Sequence, residues 1–153
     1  LASEAGIPVP ESSPEAARAE MRAKTLYGAL DEACRFFEAE LQGARGAQAR
    51  QYLEKRGIRP EMARQFCLGY APDARDALKR HLLGKGFSEA QALEAGLLVS
   101  PDQGSAYDRF RDRLIFAICD ATGRVIAFGG RILRTPPPAS GRQPPKYLNS
   151  PET

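Results

Sequence analysis

Long apolar runs are missing from this sequence. No stretch of about 18 consecutive apolar residues occurs, so no segment has the composition of a membrane-spanning helix. No basic segment followed by an apolar one stands at the N-terminus, so a signal peptide is not expected. Cysteine and histidine are scarce: the chain has Cys34, Cys67, Cys119 and the single histidine His81. The cysteines are far apart in sequence, odd in number and form no C-x-x-C pair. That argues against a disulfide framework and against a structural zinc site within the chain. Buried free thiols in a reducing cytoplasm are the expectation. Carboxylates form no cluster such as D-x-D, and no Ser or Cys nucleophile motif accompanies His81, which reads as a helix-surface residue. Neither a metal site nor a general acid–base pair is expected among these residues. There is no internal repeat.

What is present is a globular chain with an uneven charge. Its 153 residues are 42% apolar and 27% charged, both ordinary for a folded domain, and a chain of that size buries roughly 70% of its unfolded surface. Residues 107–153 carry eight Arg/Lys against four acids, whereas residues 1–106 carry 14 basic and 15 acidic groups. The whole positive excess of +3 therefore sits in the last third. A fold does not need that asymmetry; an anionic partner does.

Residues 1–13 hold Pro8, Pro10, Ser12 and Ser13 with little periodicity, and read as a linker joined to something upstream. A chain opening on Leu1 reads as an excised fragment. A domain over 14–153 follows. Ser13-Pro14-Glu15 is a helix start, and Leu26, Leu30, Ala33, Phe37 and Leu41 recur at helical spacing up to Gly43. Further helices are predicted over 46–56, 60–66, 73–83 (capped by Asp73) and from Ser88, where Gln91 completes a capping box. Residues 67–72 and 97–99 read as extended. Two apolar runs, 114–119 and 124–133, read as a β-hairpin whose strands are apolar on both faces, so helices should cover the sheet. Five prolines in 134–145 predict a surface loop. The fold class expected is α+β: a helical N-terminal half packed on a small mixed β-sheet with a C-terminal β-hairpin.

Three groups of residues suggest chemistry. Arg109, Arg111 and Arg113 are spaced by two, which in an extended segment puts them on one face where they could follow a phosphate backbone; Asp108 and Asp112 could equally neutralise them as surface ion pairs. Gly129-Gly130-Arg131 removes two side chains where a strand prefers them, either to let another backbone or a ligand come close beside an arginine fork or to form a β-bulge. Lys146, Tyr147 and Asn149 bring a cation, an aromatic face and an amide within four residues, a set suited to single-stranded nucleic acid; alternatively Tyr147 packs in the core with Leu148.

Five blocks in order, Tyr52-Leu53-Glu54-Lys55-Arg56-Gly57, Leu68-Gly69-Tyr70-Ala71-Pro72, Tyr107-Asp108-Arg109-Phe110-Arg111-Asp112-Arg113, Gly123-Arg124-Val125-Ile126-Ala127-Phe128-Gly129-Gly130-Arg131 and Lys146-Tyr147-Leu148-Asn149-Ser150-Pro151-Glu152-Thr153, resemble the bacterial (DnaG-type) DNA primases. The resemblance covers about 52–153. It implies the N-terminal basic subdomain of an RNA polymerase core, a nucleotidyltransferase that makes RNA primers on single-stranded DNA for replication in the bacterial cytoplasm. It further implies that the zinc ligands lie upstream, that the Toprim carboxylates for magnesium lie downstream, and that a replicative helicase is met through a C-terminal domain outside this chain. No cofactor is then expected on these residues, and the fragment alone should synthesise no primer. Arg131, Lys146, Tyr147 and Asn149, with the Arg109–Arg111–Arg113 group, would bind template or ribonucleoside triphosphate. Arg56, otherwise a helix C-terminal cation, is similar to a family arginine that reaches toward the active site. Two departures stand: Ala117 occupies a place where the family commonly has proline, and 134–145 is longer than usual. The rival readings are a passive single-strand-binding module and a protein-docking domain with a basic face.

Overall fold

The structure, a computed structural model, describes residues 13–133 and 147–152. The expected linker, the 134–145 loop and Lys146 lie outside the described residues. Helix α1 (Pro14–Gln42) starts as the sequence predicts: the Ser13 hydroxyl accepts a hydrogen bond from the Ala16 amide and Pro14 takes the first turn. Its buried residues Leu26, Ala29, Leu30, Ala33, Cys34, Phe37 and Leu41 form one stripe, while the first three turns are exposed. At its C-terminus the orphan carbonyls meet a side chain: Arg50 donates to Leu41 O at 2.7 Å and Gly43 O at 2.6 Å. A 3-10 turn (Ala44–Gly46) leads into α2 (Ala47–Lys55) and α3 (Pro60–Gln65).

Strand β1 (Leu68–Ala71), β4 (Arg113–Cys119), β5 (Val125–Ile132) and β6 (Tyr147–Asn149) form one sheet in the order β1-β4-β5-β6. Between β1 and β4 the chain makes α4 (Ala77–Gly84), α5 (Glu89–Glu94) and a two-stranded sheet of β2 (Leu98–Val99) and β3 (Tyr107–Asp108). The fold class is α+β. Among the described residues every strand pairing is antiparallel, where a mixed sheet was expected. Among the described residues no helix is long and apolar enough to cross a membrane.

Alternation along the strands sorts the core into two clusters, one on each face of the large sheet. Ala71, Ile115 and Phe128 join the α1 stripe with α4 and α5, whereas Tyr70 and Leu114 pack with Leu41, Leu53 and Ala63 of α1, α2 and α3. Helices do cover both faces, as two apolar strands demand. The covering is closest at Gly69, where a Cβ would lie 2.5 Å from Phe37 Cβ and 2.7 Å from its carbonyl carbon. Helix α1 rests on β1 there without an intervening side chain.

Helix α4 begins at Ala77, not beside Asp73, and its N-cap Asp76 makes no side-chain cap bond. The cap comes from β3. Asp108, 3% exposed, accepts from Leu78 N at 2.8 Å and Lys79 N at 3.0 Å. Asp108 is therefore not the surface partner of neighbouring arginines that the sequence suggested. Asp108→Ala strands two buried donors and is expected to cost roughly 3 kcal/mol in denaturant unfolding, with Asp108→Asn costing less because an acceptor oxygen remains. Burial pushes the Asp108 carboxyl up from 3.8 to about 6, against the pull of the two amides. Between those values the folded chain holds a proton that the unfolded chain releases, so this stabilising contribution falls as pH rises from about 4 to about 6. The stability advantage of the parent over Asp108→Asn should shrink across that window.

Candidate functional site

The site grows from the outer half of the sheet. Antiparallel pairing sets Leu114 opposite Arg131 and Arg131 opposite Tyr147, so all three side chains emerge on one face. Asn149 pairs with Gly129, two residues along, on the same face. Helix α2 packs over the same side of the sheet and brings Tyr52. The Arg131 guanidinium carbon lies 5.3 Å from the centre of the Tyr52 ring and 5.6 Å from that of Tyr147. Arg56, one turn beyond Tyr52, has its guanidinium 5.2 Å from the same Tyr52 ring. The outcome is a row of cation, ring, cation and ring running Arg56, Tyr52, Arg131, Tyr147, with the Asn149 amide beside it.

Two properties suit the row to binding. Tyr147 is 56% exposed, so its ring is not spent on the core; its neighbour Leu148 packs there instead. Arg131 meets aromatic faces and has no hydrogen-bond acceptor for its buried Nε among the described residues. Aromatic contact fixes the plane of a guanidinium while leaving its charge uncompensated.

The two glycines beside Arg131 serve packing. A Cβ at Gly129 would strike the Phe116 ring and come within 3.1 Å of Asn149 Oδ1, and one at Gly130 would meet Phe110 at 2.8 Å. The space that the sequence left open to another backbone, a ligand or a bulge is taken by Phe116, Phe110 and the Asn149 amide. The ladder is regular there; its register shift falls between Ile118 and Cys119.

Arg109, Arg111 and Arg113 are not brought onto one face. Residues 109–112 are not a strand: Asp112 turns to φ 49, where the Tyr70 hydroxyl donates to its carboxylate at 2.8 Å. Arg109 Nε donates to Gly96 O at 2.6 Å. Arg113 is 5% exposed, and its guanidinium approaches Gly130 O at 3.4 Å. Only Arg111 is exposed, 5.9 Å from the Tyr107 ring, which Arg75 also approaches at 4.8 Å. Lys146 precedes Tyr147 in the chain and lies outside the described residues. Tyr52 is the member that the sequence reading missed; its spacing of four from Arg56 on a helix was the available signal.

Among the described residues no group of three His, Cys, Asp or Glu side chains holds more than one carboxylate. The geometry instead suits a polyanion that carries flat rings: fixed cations for phosphates, an exposed ring for stacking, an amide for a base edge.

Residues 36–153 match the family model described as "DNA primase catalytic core, N-terminal domain". The DNA primase of Escherichia coli is 45% identical over 130 residues, covering 85% of this chain and 21% of that protein. A solved DnaG primase catalytic domain bound to ssDNA superposes with a TM-score of 0.74 at 42% identity, covering 88% of this chain and 41% of that one. The RNA polymerase domain of Mycobacterium tuberculosis DnaG, in complex with a double-stranded DNA oligomer with an overhang, gives 0.75 at 37% identity, covering 85% and 39%. The chain belongs to the DnaG primase catalytic-core N-terminal domain family. It spans about a fifth of the length of the curated relative.

Proposed function

We propose that this chain is the template-gripping part of a primase, a DNA-directed RNA polymerase that makes short RNA primers on single-stranded DNA. The observation that carries the reading is the row Arg56–Tyr52–Arg131–Tyr147, with an arginine held between rings and a half-exposed tyrosine at the sheet edge. Arg131 and Arg56 take template or triphosphate oxygens, Tyr147 stacks on a base, and Asn149 reads an edge or a sugar. Lys146 adds a point charge next to Tyr147, Arg111 contributes from the second sheet, and Arg109 and Arg113 hold the connection between the sheets. Nucleotidyl transfer needs metal-bearing carboxylates beyond this chain, as the resemblance implies, so the isolated chain binds but does not polymerise. Zinc, ribonucleoside triphosphates, the replicative helicase and a cytoplasmic replisome belong to this same reading.

The test is template-dependent ribonucleotide incorporation by the full-length protein that carries this chain. Arg131→Ala and Lys146→Ala are each expected to reduce synthesis by about 10-fold or more, equivalent to about 1.4 kcal/mol of transition-state binding, while thermal midpoints stay near the parent's. Retained activity would remove either residue from the site, and a matching loss of fold would return it to a structural role.

A further inference from the structure

The three cysteines that are scattered in sequence do not stay scattered. Cys34 and Glu38 stand one turn apart on the same face of α1, and the Cys34 thiol donates to Glu38 Oε1 at 3.4 Å. Cys67 occupies the corner between α3 and β1 with φ 51, a left-handed conformation that non-glycine residues rarely take. Seating Gly69 directly on Phe37 fixes where that corner falls, beside the turn of α1 that carries Cys34 and Glu38. The two sulfurs and a Glu38 oxygen all lie within 4.8 Å of one another. No other such group of three Cys, His, Asp or Glu side chains occurs among the described residues.

Tetrahedral zinc with Zn–S of about 2.3 Å and Zn–O of about 2.0–2.2 Å requires S···S near 3.8 Å and S···O near 3.6 Å. The observed spacing reaches that geometry through side-chain shifts of about 1 Å or less. The donor set is also chemically selective: two thiols favour a soft or borderline ion over magnesium or calcium, which take oxygen ligands. We propose that Cys34, Glu38 and Cys67 form a binding site for a thiophilic divalent cation of the zinc class, with its fourth position left to water.

One further feature fits this site. Glu38 lines a surface cleft of about 330 Å³ together with Arg35, Ala39, Leu41, Ala63 and Arg64, so its carboxylate is reached from solvent. The bound ion would clip α1 to the start of β1, on the helix whose next turn seats Leu41 against the α2 side of the core.

The test is a titration of the reduced chain with cobalt(II) and then zinc, with exposed Cys119 replaced by Ser throughout so that only the site's thiols report. One cobalt per chain is expected, with a thiolate-to-cobalt charge-transfer band that zinc abolishes. Cys67→Ser should halve the band and weaken binding about 10-fold or more, and Glu38→Gln should weaken binding by a similar factor while keeping the full band. Should a variant fail to fold, the unsubstituted chain still answers: zinc at about 100 times its dissociation constant should raise the thermal midpoint by about 5–10 °C, and magnesium should not. Absence of the charge-transfer band, binding that survives Cys34→Ser with Cys67→Ser, or a zinc-independent midpoint would each overturn the site.

Discussion

Gly69→Ala is expected to lower the thermal unfolding midpoint by about 6–12 °C. The added methyl would stand 2.5–2.8 Å from the Cβ, carbonyl carbon and carbonyl oxygen of Phe37, and two of those three atoms are helix backbone of α1. A flexible side chain could swing aside, but a helix backbone moves only with its neighbours. Phe37 is itself fixed by edge-to-face contacts with Phe110 and Phe128 at ring separations of 6.3 and 5.3 Å. Overpacking of this kind costs about 3 kcal/mol, the upper end of its usual range, and each kcal/mol shifts the midpoint of a domain this size by about 2–4 °C. Gly84→Ala is the control. Nothing lies within 4 Å of a Cβ there, so the methyl only restricts the unfolded chain and should raise the midpoint by about 1–4 °C. Equal midpoints for the two variants would mean that α1 is not seated on β1 in solution.

That contact also marks the limit of what the sequence discloses. Local chemistry was legible: Ser13-Pro14 and Gly43 bound α1, Ser88 with Gln91 forms the capping box, and the 114–119 and 124–133 runs make the hairpin. Each is set by residues within four or five positions of one another, or by a largely apolar run. The cap of α4 was not legible, because the Asp108 carboxylate that makes it comes from 30 residues away. The convergence of Cys34 and Cys67 was hidden for the same reason: sequence separation says nothing about distance once a strand is laid against a helix.

The site divides along the same line. Tyr147 and Asn149 were grouped by nearness in sequence alone; the structure adds the short strand on which they alternate and the strand partner of Tyr147, Arg131. The alternation argument failed for Arg109, Arg111 and Arg113 because it requires extended backbone throughout. Asp112 leaves that region, held by a hydroxyl from β1 that no local pattern announces. Charge counting pointed to the last third of the chain but overstated the number of cations available there, since Arg113 is buried against Gly130 and Arg109 is committed to Gly96. What remains is a smaller set of cations interleaved with rings.

That interleaving predicts how binding divides between charge and stacking. Single-stranded DNA is expected to bind the chain with a log-affinity against log-salt slope of about −2 to −3, as three or four neutralised phosphates give at about −0.7 each. Tyr147→Ala removes a stacking surface worth about 1–3 kcal/mol, so affinity should fall about 5- to 150-fold with the slope unchanged. Arg131→Ala removes a phosphate contact, so the slope should become shallower by about 0.7. Arg131→Lys separates charge from shape: the slope should be kept, yet affinity should fall, because an ammonium cannot lie flat between Tyr52 and Tyr147 and present a planar fork. A labelled oligonucleotide titrated at several salt concentrations against the four proteins reads both quantities. A slope near zero in the parent would remove the electrostatic grip, and a Tyr147→Ala affinity equal to the parent's would mean that the exposed ring meets no base. Equal affinities for Arg131→Lys and the parent would reduce Arg131 to a point charge, and the two rings beside it would then serve packing alone.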